Sequence, residues 1–470
     1  IVAEFREFER TSTTVLNAYL TPVVADYLAR LEAGVRSAGL ADAVSVMRSS
    51  GGLIGASDAS HLPASILLSG PAGGAMAAAS VGTVLRRDRV IAFDMGGTST
   101  DVSRIEGGRP EIAYERSVDG YACRMPSIAI HTVGAGGGSI GWVDAGGSLR
   151  VGPRSAGADP GPACYSRGGT DATVTDASVY LGRIAPDAAL GGRLTVDRGK
   201  AETALAALGD AMGMATDDTA LGILRVVEEV MAGAIRTVSI EQGADPRDAW
   251  LVAFGGAGGL HATALARSLG MAGVIVPPHG GVFSAVGLLL SPPRVDAARS
   301  VLLRDEDSFD DAVAAIAAEA VGQLPHAAIE TLADVRYLGQ SHEVTVPCSV
   351  GDGWEVLGAR FHRLHEDRNG FSRPGDPIEL VTVRATATGT PAIDASKVFT
   401  WAPEGSADLG VRPVRTADGS VEARLCRREG LGVGDVILGP AVIEEREATT
   451  WIAPGERAVV SEAGALEVTW

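Results

Sequence analysis

The stretch Val90-Ile-Ala-Phe-Asp-Met-Gly-Gly-Thr-Ser-Thr-Asp-Val-Ser-Arg-Ile105 limits the possible folds of this chain more than any other. It reads as a buried strand from Val90 to Phe93, an acidic residue at its end, a Gly-Gly-Thr-Ser turn and a second strand. That is a hairpin, not the strand-to-helix passage of a P-loop. Gly96 and Gly97 lack Cβ, so the backbone there is free to take positive φ and to approach a ligand closely. Successive N–H groups of such a turn form a nest for phosphate oxygens, with the hydroxyls of Thr98 and Ser99 as further donors. Asp94 and Asp101 stand at either end of that cradle, where a carboxylate makes sense if Mg²⁺ lies between it and the phosphate. From these residues alone, a nucleotide site and an ordinary ligand-free hairpin turn remain open.

The rest of the composition narrows the class. At 470 residues the chain has room for two to three packed domains. No run of about 18 apolar residues appears, so no membrane association is expected. The net charge of −18, from 40 basic and 58 acidic residues with no basic block, argues against a nucleic-acid partner. Two of the 40 basic residues are lysines, Lys200 and Lys397, leaving 38 arginines, so a catalytic lysine is nearly excluded. Cys123, Cys164, Cys348 and Cys426 are scattered without a Cys-x-x-Cys pair, which fits a reducing cytoplasm. The chain opens on Ile1 with nothing like a signal peptide, and its start reads as an internal cut.

In chain order, residues 1–86 read as the remainder of a domain. A helix from Thr14 to Val35 carries apolar residues at helical spacing, among them Val15, Tyr19, Val23, Tyr27 and Leu28. The Ser69-Gly70-Pro71 turn opens an Ala-rich helix suited to close packing, and its free N–H groups suit an anion. After the hairpin, the strand Ile128–Val133, which contains His131, runs into the glycines 134–138, a second candidate site loop. A long Gly/Pro loop from Gly152 to Tyr165 surrounds Asp159, and such loops inside compact domains are usually functional. Thr175-Asp176 looks like the N-cap of a helix from Ala177 to Leu181. The strand Trp250–Phe254 is followed by Gly255, Gly256, Ala257, Gly258 and Gly259, then a helix and another strand. That unit belongs in an α/β sheet with ligands at strand C-terminal ends, and its glycines would let a flat ring slide along the backbone. Past Pro293, short alternating segments predict a β-rich C-terminal domain. His362 and His365 stand three apart on a probable helix, where a solvated face is favoured over a shared metal.

The Asp-x-Gly-Gly-Thr pattern resembles the phosphate hairpin of the actin, hexokinase and Hsp70 ATPases. The strings FDMGGTSTDVS, LLSGPAGG, HTVGAGGGSI, VGPRSAGADPGPACY, TVTDASVYLGR, FGGAGGLHA and RYLGQSHEV are similar to those of the hydantoinase A/5-oxoprolinase family over nearly the whole chain. The resemblance implies an α/β, actin/hexokinase/Hsp70-like ATPase domain at 87–293, a β-rich domain at 294–470, and at 1–86 the end of the first ATPase subdomain. It implies ATP and Mg²⁺ as cofactors, with Asp94 toward the metal and Gly96, Gly97, Thr98 and Ser99 on the phosphates. Gly255, Gly256, Gly258 and Gly259 form the expected adenosine loop. Asp94, Asp101, His131 and Asp159 make up the candidate catalytic set.

The implied activity is phosphorylation of the amide oxygen of a small cyclic amide, a hydantoin or 5-oxoproline, followed by hydrolytic ring opening. A hydantoinase B-type partner, an oligomeric assembly and an N-terminal ATPase domain with its own phosphate hairpin are also implied. That domain is not in this sequence, so the chain alone is expected to be inactive. Two alternatives stand beside this: the ATPase subunit of an ATP-dependent ketone carboxylase, and a non-catalytic actin-like nucleotide-binding scaffold.

Overall fold

A computed structural model describes residues 1–185, 189–190, 194–304 and 308–470. The chain forms two compact units, each assembled from three separate segments. The first comprises Ile1–Ala72, Ile112–Ile128 and Ser291–Ala392; the second comprises Gly73–Glu111, Ala129–Leu290 and Ile393–Trp470. This division differs from the three consecutive segments expected. Residues 294–470 do not form one β-rich body, because their last part supplies strands to the sheet that carries the hairpin.

In the first unit, the strands Arg294–Leu303, Ile378–Thr388, Ala328–Tyr337 and Val344–Cys348 form an antiparallel sheet. The helices Phe309–Gln323 and Gly353–Asn369 pack Phe309, Val313, Ile316, Leu357 and Phe361 into its core. Ile378–Thr388 is buried along most of its length, so its charged residues must be paired. Arg384 accordingly meets Glu4 at 2.9 Å and Asp334 at 2.7 Å, and Arg124 meets Glu4 at 2.7 Å. The expected N-terminal helix runs from Glu7 to Ser37. Its apolar residues do not all face one core: Leu28 is buried, whereas Val15, Tyr19, Val23 and Tyr27 are exposed.

The second unit is built on nine strands among the described residues. Their order is Ile130–Val133, Thr100–Glu106, Arg89–Met95, Trp250–Phe254, Gly273–Val276, Leu466–Thr469, Arg457–Val460 and Val436–Leu438, with Arg109–Pro110 off the path beside Thr100–Glu106. The three central strands are parallel and the flanking ones antiparallel. The runs Val-Ile-Ala-Phe, Trp-Leu-Val-Ala-Phe and Gly-Val-Ile-Val have no polar alternation because both faces are covered. One face buries Ile91, Phe93, Met95 and Val102 with the helices Thr216–Val238 and Gly258–Ser268. The other buries Val90, Ala92, Ile105 and Phe254 with the Ala-rich helix, which enters the unit at Gly73, and the helix Phe283–Leu290. The close packing expected of that Gly/Ala helix is present: a Cβ on Gly287 would lie 1.8 Å from the Gly73 carbonyl oxygen.

All four cysteines are buried and free. No helix among the described residues is long and apolar enough to cross a membrane.

Candidate active site

The hairpin pairs Asp94 with Asp101 and Met95 with Thr100, and the Gly96 N–H donates to the Ser99 carbonyl at 3.1 Å across the turn. The neighbouring glycine run explains how the turn presents itself. Gly137 N–H donates to the Gly96 carbonyl at 3.0 Å and Gly138 N–H to the Gly97 carbonyl at 2.6 Å. With those carbonyls held, the amides of Gly97, Thr98 and Ser99 have no acceptor among the described residues. That is the donor arrangement of an anion nest.

The expected reason for the glycines needs correcting. Neither Gly96 nor Gly97 takes a left-handed φ. Close approach is instead required at Gly136, where a Cβ would lie 2.7–2.8 Å from the backbone of Thr98 and Ser99. It is also required at Gly255, with φ of 80°, where a Cβ would lie 2.4 Å from the Met95 carbonyl oxygen.

Antiparallel partners share a sheet face, so Asp94, Asp101 and Thr132 point the same way. Ser284 Oγ donates to Asp94 Oδ2 at 3.2 Å, and Thr132 Oγ1 donates to Asp101 Oδ1 at 2.5 Å. Burial, and then the like charge of Asp101, push the Asp94 carboxyl up to about 6, with the Ser284 bond opposing. Burial also raises Asp101, with the Thr132 bond opposing. Neither carboxylate has a cationic partner among the described residues. Two facing carboxylates, one of them raised by the charge of the other, are a donor set suited to a hard cation. No group of three or more His, Cys, Asp or Glu suited to a metal occurs among the described residues.

The second glycine loop meets the hairpin. Ala257 N–H donates to the Met95 carbonyl at 3.1 Å, directly beneath the turn, and Gly258 and Gly259 begin the helix Gly258–Ser268. Gly96, Gly97 and Gly137 on one side and Gly256, Ala257 and Leu260 on the other line a cavity of about 350 Å³. Thr98 is exposed at the tip of the turn.

Two expected catalytic residues are not part of this constellation. His131 pairs with Val102, so the pleat turns its side chain to the face opposite Asp101 and Thr132. Asp159 is exposed in its loop, which is tied to the glycine run by a 2.8 Å bond from Ala156 N–H to the Gly138 carbonyl.

Asp176 is structural, as expected, but the helix begins earlier, at Val174, with Thr173 as its cap. Asp176 returns the capping bond to Thr173 and also accepts from Ala163 and Cys164 N–H. In the first unit, His362 meets the Tyr337 hydroxyl at 2.8 Å and His365 meets the Phe371 carbonyl at 2.8 Å. His365 is buried, so that helix face is not a solvated one. Sequence reasoning missed Ser178, Glu228 and His261 as candidates. His261 and Ser178 line the cavity, and Glu228 holds His261 at 2.9 Å. The one available signal was the position of His261 just behind Gly259.

A sheet with a parallel centre, covered on both faces and carrying two glycine turns that meet over a cavity, is the build of an ATPase-like α/β protein. Comparison with known proteins carries this to a family. The hydantoinase/oxoprolinase profile matches residues 10–297 and the hydantoinase/oxoprolinase C-terminal domain matches residues 327–467. The chain belongs to the hydantoinase/oxoprolinase family. It is 34% identical to the caprolactamase subunit alpha of Pseudomonas jessenii, over 100% of this chain and 71% of that protein. The crystal structure of the ATP-dependent caprolactamase from the same organism superposes with a TM-score of 0.84 at 33% identity, covering 99% of this chain and 71% of that one. The 5-oxoprolinase 1 of Arabidopsis thaliana is 31% identical over 98% of this chain and 39% of its own length. The acetophenone carboxylase gamma subunit of Aromatoleum aromaticum is 38% identical over 61% of this chain and 39% of its own length.

Proposed function

We propose that this chain is the ATP-using component of an amidohydrolase that activates a small cyclic amide by phosphorylating its carbonyl oxygen. The amide oxygen attacks the γ-phosphorus of ATP, an O–P bond forms, and the bond to the β-phosphate bridging oxygen breaks to release ADP. Water then adds to the activated carbon, the ring C–N bond breaks as the nitrogen takes up a proton, and a second water attacks the carbon of the resulting acyl phosphate, displacing phosphate that carries the former amide oxygen. Loose phosphoryl transfer of this kind needs positioning and charge neutralisation more than covalent help. The free amides of Gly97, Thr98 and Ser99 are the proposed phosphate donors, held outward by Gly137 and Gly138. Asp94, with Asp101 opposite, would hold Mg²⁺ through water; the ion supplies neutralisation of phosphate charge. The Gly255–Gly259 loop takes the adenosine, within an actin-type ATPase core. The assembly includes a B-type partner subunit and a domain bearing the other phosphate hairpin, and it works in the cytoplasm.

The carrying observation is the clamped turn: the Gly96 and Gly97 carbonyls are bonded away, the Gly97, Thr98 and Ser99 amides have no acceptor among the described residues, and two carboxylates held only by hydroxyl groups there stand at its base. The named relatives favour cyclic amides over ketones as substrates, since caprolactamase and 5-oxoprolinase match nearly the whole chain. The test is ADP release by the chain with its partner subunit, offered lactams, hydantoins and 5-oxoproline in one series and ketones plus bicarbonate in another. Release stimulated by cyclic amides supports the proposal. Release stimulated only by ketone plus bicarbonate would move the chain to the carboxylases, and no stimulation by either would leave a nucleotide-binding scaffold.

A further inference from the structure

Arg48 follows the strand Ser45–Met47 and is buried in the first unit, 8% exposed. A guanidinium carries five N–H donors. This one makes a single hydrogen bond among the described residues, from Nη1 to Asp296 Oδ2 at 3.4 Å. Its Nε is sealed off without a partner. Its Nη2 also lacks a hydrogen-bond partner there but is not sealed off, and Arg48 lines a cavity of about 90 Å³. A buried polar group this far from satisfied is rare in a folded protein and calls for an explanation.

Asp296 does not supply what is missing. Besides Arg48, its two oxygens accept from the Ser50 hydroxyl at 2.8 Å, the Thr386 hydroxyl at 3.1 Å and Arg294 Nε at 2.9 Å. It is also the ion-pair partner of both guanidinium groups, so one buried carboxylate faces two cations and an excess positive charge is left. Burial, joined by the charge of Arg294, holds Arg48 below the usual arginine range, with Asp296 opposing. The other charged residues in the wall, Glu4, Arg124 and Arg384, are paired with one another. Water satisfies free N–H groups but not the charge, and buried charge without a partner is costly. The cavity has several times the space of about 10–15 Å³ that one water needs.

We propose that this cavity is a binding site for a small oxyanion seated against Arg48. The anion balances the second guanidinium, and its oxygens accept from Arg48 Nη2, as carboxylates and phosphates do at arginine. Tyr114, Arg124 and Arg384 also line a larger cavity of about 750 Å³ in the same unit, so the recess lies beside room for the remainder of a longer carboxylate. Inorganic phosphate and a short carboxylate share the required chemistry, and the proposed reaction releases one of each. The inference rests on the proposed function only for those two sources; anion binding at Arg48 requires neither ATP nor turnover.

The test is calorimetry on the full chain in a chloride buffer, titrated with sodium phosphate and with sodium acetate. Sodium chloride at matched ionic strength and neutral acetamide are the controls. At least one oxyanion is expected to bind at millimolar concentration while neither control does, and the tighter of the two identifies the source. Arg48→Met keeps the length of the side chain and removes its charge, so it should weaken that anion by about tenfold or more, the loss of a charge-assisted bond. Its melting temperature should stay close to the parent value, because Asp296 retains Arg294, Ser50 and Thr386. If Arg48→Met does not fold, Arg48→Lys carries the test: the charge stays but the planar fork is lost, and affinity should fall by about threefold or more. Phosphate binding that survives the substitution belongs to the turn of the second unit and would overturn the proposal. Acetate binding that survives it, equal binding of acetamide, or no binding of either anion at millimolar concentration would overturn it as well. Anion binding that depends on Arg48 in a chain that releases no ADP with its partner subunit would count against the proposed function and leave the site standing.

Discussion

Replacing Asp94 by Asn should make the protein more stable and the enzyme much slower. Asp94 is held against its own ionisation: burial and the facing Asp101 raise its carboxyl from 3.8 to about 6. A raised acid is protonated in the folded state while the unfolded chain has already released its proton. Stability from this group is therefore fully present below about pH 4 and is lost as pH rises through about 6. A shift of about two pKa values corresponds to about 3 kcal/mol of destabilisation at neutral pH, an upper figure because Asp101 shares the repulsion. Asp94→Asn keeps an acceptor for the Ser284 hydroxyl and removes the charge. The variant should unfold at higher urea than the parent at pH 7.5, by up to about 3 kcal/mol, and should match it near pH 4. Mg²⁺ should stabilise the parent at pH 7.5 and leave the variant unmoved. Substrate-coupled turnover should fall by roughly 10²-fold or more, as when an electrostatic contact in the transition state is lost. Urea curves for parent and variant that stay equally separated from pH 4 to pH 7.5, or a less stable variant, would refute the reasoning.

Two further substitutions probe the scaffold. Gly136→Ala drives a Cβ to 2.7–2.8 Å from the backbone of Thr98 and Ser99. It should displace the turn and weaken Mg-ATP binding by about tenfold or more by calorimetry, a loss of one or two charge-assisted bonds. In the first unit, Arg384→Met leaves Asp334 and Glu4 without their shared cation. Thermal denaturation should show a loss of about 3–5 kcal/mol, the usual cost of stranding buried charge.

Much of the second unit was legible in the chain. The unbroken apolar runs at Val90–Phe93 and Trp250–Phe254, each ending in glycines, mark central strands of a sheet covered on both faces. The convergence of those two glycine loops followed from placing both strands in one sheet. The partition into units was not legible, because Leu466–Thr469 pairs with Gly273–Val276 from far along the chain and no local signal announces a distant sheet neighbour. His131 shows the limit of motif reasoning. One position separates it from Thr132, and register puts Thr132 beside Asp101 and His131 on the other face. The glycines at 96 and 97 drew attention to φ, whereas a steric demand falls on Gly136, in the segment that packs against them. Arg48 was hidden for a different reason: a missing hydrogen bond leaves no trace in sequence.

The most direct test of the central claim follows the amide oxygen itself. A cyclic amide substrate labelled with ¹⁸O at its carbonyl, turned over with Mg-ATP by the chain and its partner subunit, is analysed for label in the released phosphate by mass spectrometry. Phosphorylation at the turn predicts one ¹⁸O in inorganic phosphate per ring opened, and loss of that signal together with ADP release in Asp94→Asn. Label found only in the ring-opened carboxylate, or ADP formed at the same rate without the amide, would contradict the account.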